Sequence, residues 1–303
     1  AWKKKPKGCA RCEKNLVQYF PSHARQFFFS EHCENEDQED IFRQIAEGTA
    51  PDRWIYRGIP IEEHAFAATA RFFAKGRPQE EPQFEAVLKR YAEASVKSIT
   101  FYDEILGIFD PAVICMHHGI YVPQGLAVEV AKMRNMRVVT WTPSYRKGTF
   151  LFAEGDSYHK VMPAQEMPPG KLTETQSKKI LRYLDSRQHG TNDWIWFNDE
   201  KKRDTSFRSR FAIGEDKKII SAFSNVFWDA QLHFNDAIFE DMIDWLEDTI
   251  NFFSKQSDAH LIIRAHPAEH SGFIPSRQPL EEVLSEKLAN CENVSLIPGS
   301  SNE

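Results

Sequence analysis

Leu261-Ile-Ile-Arg-Ala-His-Pro-Ala-Glu269 decides how this 303-residue chain is read. Its apolar start reads as a buried parallel strand, which needs no polar face. Arg264, His266, Pro267 and Glu269 follow at once. In open α/β sheets, the groups just past the C-terminal ends of the strands meet the ligand. An arginine offers a planar fork of donors and a histidine a ring N–H, so the pair suits a phosphate.

Working outward, Lys218–Phe223 reads as a strand and residues 239–253 as an amphipathic helix. His260–Arg264 is the next strand, residues 280–289 a helix, and Val294–Ile297 a strand. This β-α-β-α-β order predicts half of a doubly wound sheet. A second unit lies upstream. Residues 61–75 and 82–108 read as helices, and Asp110-Pro111 stops the second. Residues 112–116 then read as a strand, 126–133 as a helix and 137–141 as a parallel strand. Residues 164–170 read as a linker, 172–187 as a helix and 188–215 as a connection. Phe27-Phe-Phe-Ser30 reads as a short strand and residues 34–40 as an acidic loop. The expected fold is α/β, with Rossmann-like domains over 1–200 and 201–303 and a ligand cleft between them.

Composition narrows the function classes. The net charge of −6, from 38 basic and 44 acidic residues, argues against sequence-independent nucleic-acid binding. No apolar run approaches the roughly 18 residues of a membrane span, and no signal peptide is legible. The expected location is cytoplasmic, with a basic tip at Lys3-Lys4-Lys5 and Lys7 offering peripheral contact with anionic lipid. Five scattered cysteines read as reduced thiols. Cys9 and Cys12 form one CxxC without a clear second pair, so no metal site is expected. The chain begins without methionine and stops just after a strand-like run. It is therefore read as a piece of a longer protein with an incomplete second domain.

Five groups carry candidate chemistry. Arg264 and His266 are phosphate ligands. Ser300 and Ser301, after the next strand, add hydroxyl and backbone donors. Ser221, Ser224 and Asn225, at the end of the 218–223 strand, read as ligand contacts or as helix caps. His117, His118 and Gly119 follow the 112–116 strand. A histidine there suits general-base work, and the glycine permits close approach. Gln124 sits at the next helix entrance, ready for an anion or a sugar hydroxyl. Arg146 and Lys147 suit an anionic acceptor, and Glu154 or Asp156 is a reserve base. P-loop, GxGxxG, HExxH and GxSxG patterns are absent from the sequence.

The order His118-Gly119, Arg264-Ala-His-Pro267, Ser300-Ser301 resembles GT-B glycosyltransferases of bacterial surface polysaccharide. Capsule polysaccharide biosynthesis proteins are the nearest in pattern. Sialyl- and Kdo-transferases share the HP and Ser motifs, and CDP-glycerol-using teichoic acid polymerases have a similar order. The resemblance spans roughly residues 110–303. It implies a nucleotide-sugar donor, a glycan acceptor, inversion, and neither metal nor cofactor. His118 would be the base; Arg264 and His266 would hold the donor phosphates, with Ser300 and Ser301 beside them. Three alternatives stay open: transfer of a polyol phosphate from a CDP-linked donor, epimerisation of a nucleotide sugar, and a non-catalytic subunit of a polysaccharide assembly complex.

Overall fold

The computed structural model describes residues 25, 27–157, 160, 170–187, 192–193, 207–230 and 238–301. The fold is α/β, with three small sheets among these residues. In chain order the first elements are α1 (Phe29–His32), α2 (Glu39–Glu47), β1 (Ile55–Tyr56), β2 (Ile59–Pro60), α3 (Glu62–Phe73) and α4 (Phe84–Phe109). Then come β3 (Val113–His117), α5 (Gln124–Met133), β4 (Arg137–Pro143), β5 (Phe150–Glu154) and α6 (Glu174–Arg187). The rest is α7 (Phe207–Arg210), β6 (Lys218–Phe223), α8 (Met242–Phe253), β7 (Ala259–Arg264), α9 (Ala268–Ser271), α10 (Leu280–Val283), α11 (Ser285–Leu288) and β8 (Val294–Ile297).

The two β-α-β units form where apolar periodicity places them. β3 pairs parallel with β4 through the crossover α5. β6, β7 and β8 are parallel and lie in sequence order. Leu261, Ile262 and Ile263 are at most 2% exposed, as a central strand covered on both faces requires. Leu246 and Ile250 of α8, Leu280 of α10 and Val294 of β8 pack against Leu261 and Ile263, and Ile213 and Ile297 pack against Ile262 on the other face. The Asp241 carboxylate caps α8 by accepting from Asp244 N at 2.8 Å. A separate core joins Ile45, Ile61, Val96, Ile99, Leu126 and Val138 in the first half. α4 ends where Asp110 turns left-handed at φ 41°, one residue before Pro111.

Several expectations change. Phe27–Ser30 is no strand. Phe29 opens α1, and the Phe27 and Phe29 rings pack edge-on or tilted against Phe109 and Phe101 of α4. The acidic segment at 34–40 is partly helical: Asn35 leads a 3-10 turn at Glu36–Gln38, and α2 begins at Glu39. Carboxylates there meet the positive end of a helix, which favours them. Residues 280–289 form two short helices broken at Leu284. Phe150–Glu154 is a strand, antiparallel to β4, so the first sheet is mixed. The Cys9–Cys12 pair, the basic tip, most of the 164–170 linker and the boundary near residue 200 lie outside the described residues. No helix among those described is long and apolar enough to cross a membrane.

Candidate functional site

The loops after β3, β6 and β7 meet, and α3 is the piece that brings them together. Its far end locks onto the second half. Arg77 donates to both oxygens of Asp241 at 2.6 and 3.0 Å and to Asp244 at 2.6 Å. These two carboxylates hold the guanidinium pKa above its usual value. Gly76 N and Arg77 N both donate to Gln278 Oε1, and Arg277 N donates to Ala74 O. The near end of α3 holds the first loop. The buried His64 ring donates from Nδ1 to Ile120 O at 2.5 Å.

That loop reverses direction through two successive left-handed residues, His118 at φ 61° and Gly119 at φ 72°. His118 N donates to Trp141 O at 3.1 Å, and Gly119 N to His117 O at 2.8 Å. A Cβ at position 119 would come within 2.9 Å of Val128 and 3.0 Å of Thr140. Gly119 is buried, so its close approach is to α5 and β4 of its own chain. The His117 ring lies 3.6 Å from that of His118 and 4.7 Å from that of Trp141, and burial lowers its pKa.

His117, His118 and Gln124 share a cavity of about 530 Å³ with Arg71, Tyr121 and Ile274. Ile274 comes from the second half, so this cavity spans the cleft. At its floor Tyr121 Oη donates to Asp229 Oδ1 at 2.5 Å and accepts from Ala230 N at 3.2 Å. Burial, with Asp229 alongside, raises the Tyr121 pKa, so the phenol keeps its proton. Arg71 reaches Asp229 at 3.5 Å and lies over the Tyr121 and Trp228 rings at 4.9 and 5.3 Å.

At the ends of β6 and β7, Ser224 Oγ accepts from His266 N at 3.0 Å. The His266 ring is held by Ala268 N donating to its Nδ1 at 3.0 Å. Nδ1 is therefore the unprotonated nitrogen of the neutral ring and Nε2 carries the proton. Burial and the neighbouring Arg264 lower the His266 pKa, against a smaller raising effect of Asp229. Arg264 donates to Ala265 O at 2.9 Å, Pro298 O at 2.6 Å and Ser301 O at 3.0 Å. It clamps the loop that carries Ser300 and Ser301 to the end of β7. Asn225 Oδ1 accepts from Val226 N. Ser221 is an exposed β6 residue in register with Ile262. A second cavity, about 310 Å³, opens on another face of α3, lined by Phe66, Phe227, Trp228, Trp245 and Asn225.

Four candidates lie elsewhere. Arg146 and Lys147 sit in the β4–β5 hairpin, where Arg146 bridges to Asp193 and covers Tyr183, and Lys147 N donates to Asn192 O. Glu154 is exposed and paired with Arg137 at 2.6 Å, which lowers its pKa. Asp156 pairs with Lys132 at 2.8 Å and accepts from Ser157 N. None of the four lines either cavity, and of the phosphate-side candidates only Asn225 does; Ser221, Ser224, Arg264, His266, Ser300 and Ser301 line neither. Arg71, Tyr121 and Asp229 belong to no motif in the sequence. Arg71 directly follows the alanine-rich stretch Ala65–Ala70 and carries no local signature; only the contact with Asp229 marks it. Among the described residues no group of three or more His, Cys, Asp and Glu is placed to hold a metal ion. No protein-family model matches this chain, and no curated protein matches it.

Proposed function

We propose that the chain is a GT-B-type glycosyltransferase, with two Rossmann-like halves moving a sugar from a nucleotide-sugar donor to a bacterial surface glycan. One observation carries the reading. His117 and His118, at the end of β3, line a cavity to which Ile274 of the second half contributes, and the loops after β3 and β6 join there through Tyr121 and Asp229, the latter in the same loop as Ser224, which accepts from His266 N. Ligands of open α/β sheets bind at such strand ends.

His118 takes the proton from the attacking acceptor hydroxyl, and direct displacement inverts the anomeric centre. His266 Nε2–H and the Ser224 hydroxyl stabilise charge on the departing phosphate. Arg264 acts at one remove by holding the Ser300–Ser301 loop in place. The aromatic cavity, which begins at Asn225 directly after Ser224, suits the donor's base. His117 and Gln124 line the acceptor side.

A thermal-shift screen against CMP-, CDP-, UDP- and GDP-linked sugars, with CDP-glycerol included, tests this. A donor present at 100 times its Kd stabilises the fold by about 2.7 kcal/mol, so one nucleotide class should raise Tm by several degrees. If none does, the transferase reading falls. A shift by CDP-glycerol alone moves it to polyol-phosphate transfer.

A further inference from the structure

We propose that the cleft cavity on the His118 wall is an anion-reading subsite in which Arg71 binds a sugar bearing a carboxylate or phosphate monoester. This rests on the reading of that cavity as the acceptor side.

A guanidinium has five N–H donors. Arg71 meets Asp229 at 3.5 Å, the long end of an ion pair, also meets the Tyr121 hydroxyl, and rests its plane on two aromatic rings. Asp229 is meanwhile engaged at 2.5 Å by the Tyr121 hydroxyl. Arg71 is thus oriented by its neighbours without being saturated by them. The contrast with Arg77 is direct: that arginine makes three bonds of 2.6 to 3.0 Å to two carboxylates.

No carboxylate is among the lining residues; Asp229 reaches the cavity only through its contacts with Arg71 and Tyr121. Its polar lining is Arg71, His117, His118, Gln124 and the hydroxyls of Tyr91 and Tyr121. Arg71, the two histidines, Gln124 and Tyr91 can donate, whereas Tyr121 gives its proton to Asp229; the one fixed charge in the lining is Arg71, paired at 3.5 Å with Asp229. A volume of about 530 Å³ admits a hexose with room for its substituents. Apolar Phe72, Val122 and Ile274 complete the wall. Such a lining favours an anionic, hydroxyl-rich ligand over a neutral or cationic one. Arg146 and Lys147, the cations that local sequence offers for an anionic acceptor, lie outside it. An arginine fork also matches carboxylate and phosphate oxygens two at a time.

Calorimetric titration of the full chain with glucuronate, glucose 6-phosphate, glucose and inorganic phosphate tests the assignment. The anionic sugars should bind at least about tenfold tighter than glucose, which corresponds to 1.4 kcal/mol. Arg71→Met should erase that preference, and Arg71→Lys should keep part of it, which guards against a misfolded variant. Equal affinity for glucose and glucuronate, or a preference that survives in Arg71→Met, overturns the proposal. Inorganic phosphate matching the sugar acids overturns the sugar part. Displacement of glucuronate by CMP or UDP gives Arg71 to the donor and overturns the acceptor part. The two readings separate cleanly. Transfer to a neutral acceptor without sugar-acid binding sinks this subsite alone. Arg71-dependent sugar-acid binding without donor binding sinks the transferase alone.

Discussion

The loop after β3 and the loop after β7 each present a histidine at a strand end, and they hold it by different means. His118 is placed by its backbone: two left-handed residues, a glycine that only a hydrogen side chain fits, and His64 beneath the loop. Its ring then faces an open cavity. His266 is placed by hydrogen bonds to itself and its neighbours, Ser224 on its N–H and Ala268 N on its ring. The first arrangement suits a group that must exchange a proton with a ligand. The second suits a fixed donor aimed at a permanent charge.

The largest test of this difference is kinetic. His118→Ala should cut turnover by at least about 100-fold and leave the donor Kd within about twofold, on the scale of general-base catalysis. His266→Ala should do the reverse, weakening the donor by about tenfold in calorimetry. If both variants lose only affinity, the two loops have the same role and the contrast fails.

A second test concerns the acid beneath the β7 loop. Glu269 is buried, accepts from Leu280 N at 2.8 Å, and its pKa is raised to about 7, chiefly by burial, with Glu281 and Glu282 adding to it. Its folded pKa therefore exceeds the unfolded value of about 4.3. The folded state binds the extra proton, so stability is lost as pH rises between about 4.5 and 7 and levels off above that window. The full shift corresponds to roughly 3.7 kcal/mol, at about 1.36 kcal/mol per pH unit; residual solvent screening at the carboxyl lowers the loss expected in urea denaturation to roughly 2 kcal/mol, and Glu269→Gln should flatten it. A wild-type profile that is flat or rises across the same window would show that Glu269 ionises freely in the fold.

Smaller again is Ser224→Ala. It leaves His266 N without its acceptor, which costs about 1 kcal/mol or somewhat more for a buried donor. Donor affinity should fall with it, whereas sugar-acid binding on the His118 wall should not. Loss of both in parallel would mean that the walls are not independent. The smallest effect expected is from Arg77→Ala at the α3 junction. The pair is partly solvated, so the change in stability should be about 1 kcal/mol or less, read by thermal melting. A drop several times larger would mean that α3 docking, and not the cores, holds the halves together.

Most strands and the longer helices are legible in the sequence because their signals are local. Leu261-Ile-Ile263 has no polar face, and the apolar residues of α8 recur with the helical period. Where local signals compete, legibility drops. The acidic residues at 34–40 look like solvated loop, although Ile41 and Ile45 share a buried face in α2. Phe150-Leu-Phe-Ala-Glu154 follows the turn residue Gly148 and has the length of a strand, yet its neighbouring charges draw attention to ligand binding. The site shows the same division. His118 and His266 are legible because each follows a strand, whereas Arg71 and Asp229 lie 158 residues apart in the chain and have no pattern that joins them.

The sequence by itself determined two β-α-β units, the strand ends where a ligand would meet them, and a histidine at each. The tertiary structure alone decided which cations reach the cleft: Arg71 stands in it, Arg264 is bound to carbonyls, and Arg146 and Lys147 are carried off on a hairpin. The physical reason is range. Hydrophobic periodicity is set by neighbours three or four residues away, but the position of a charged side chain depends on which distant element packs beside it.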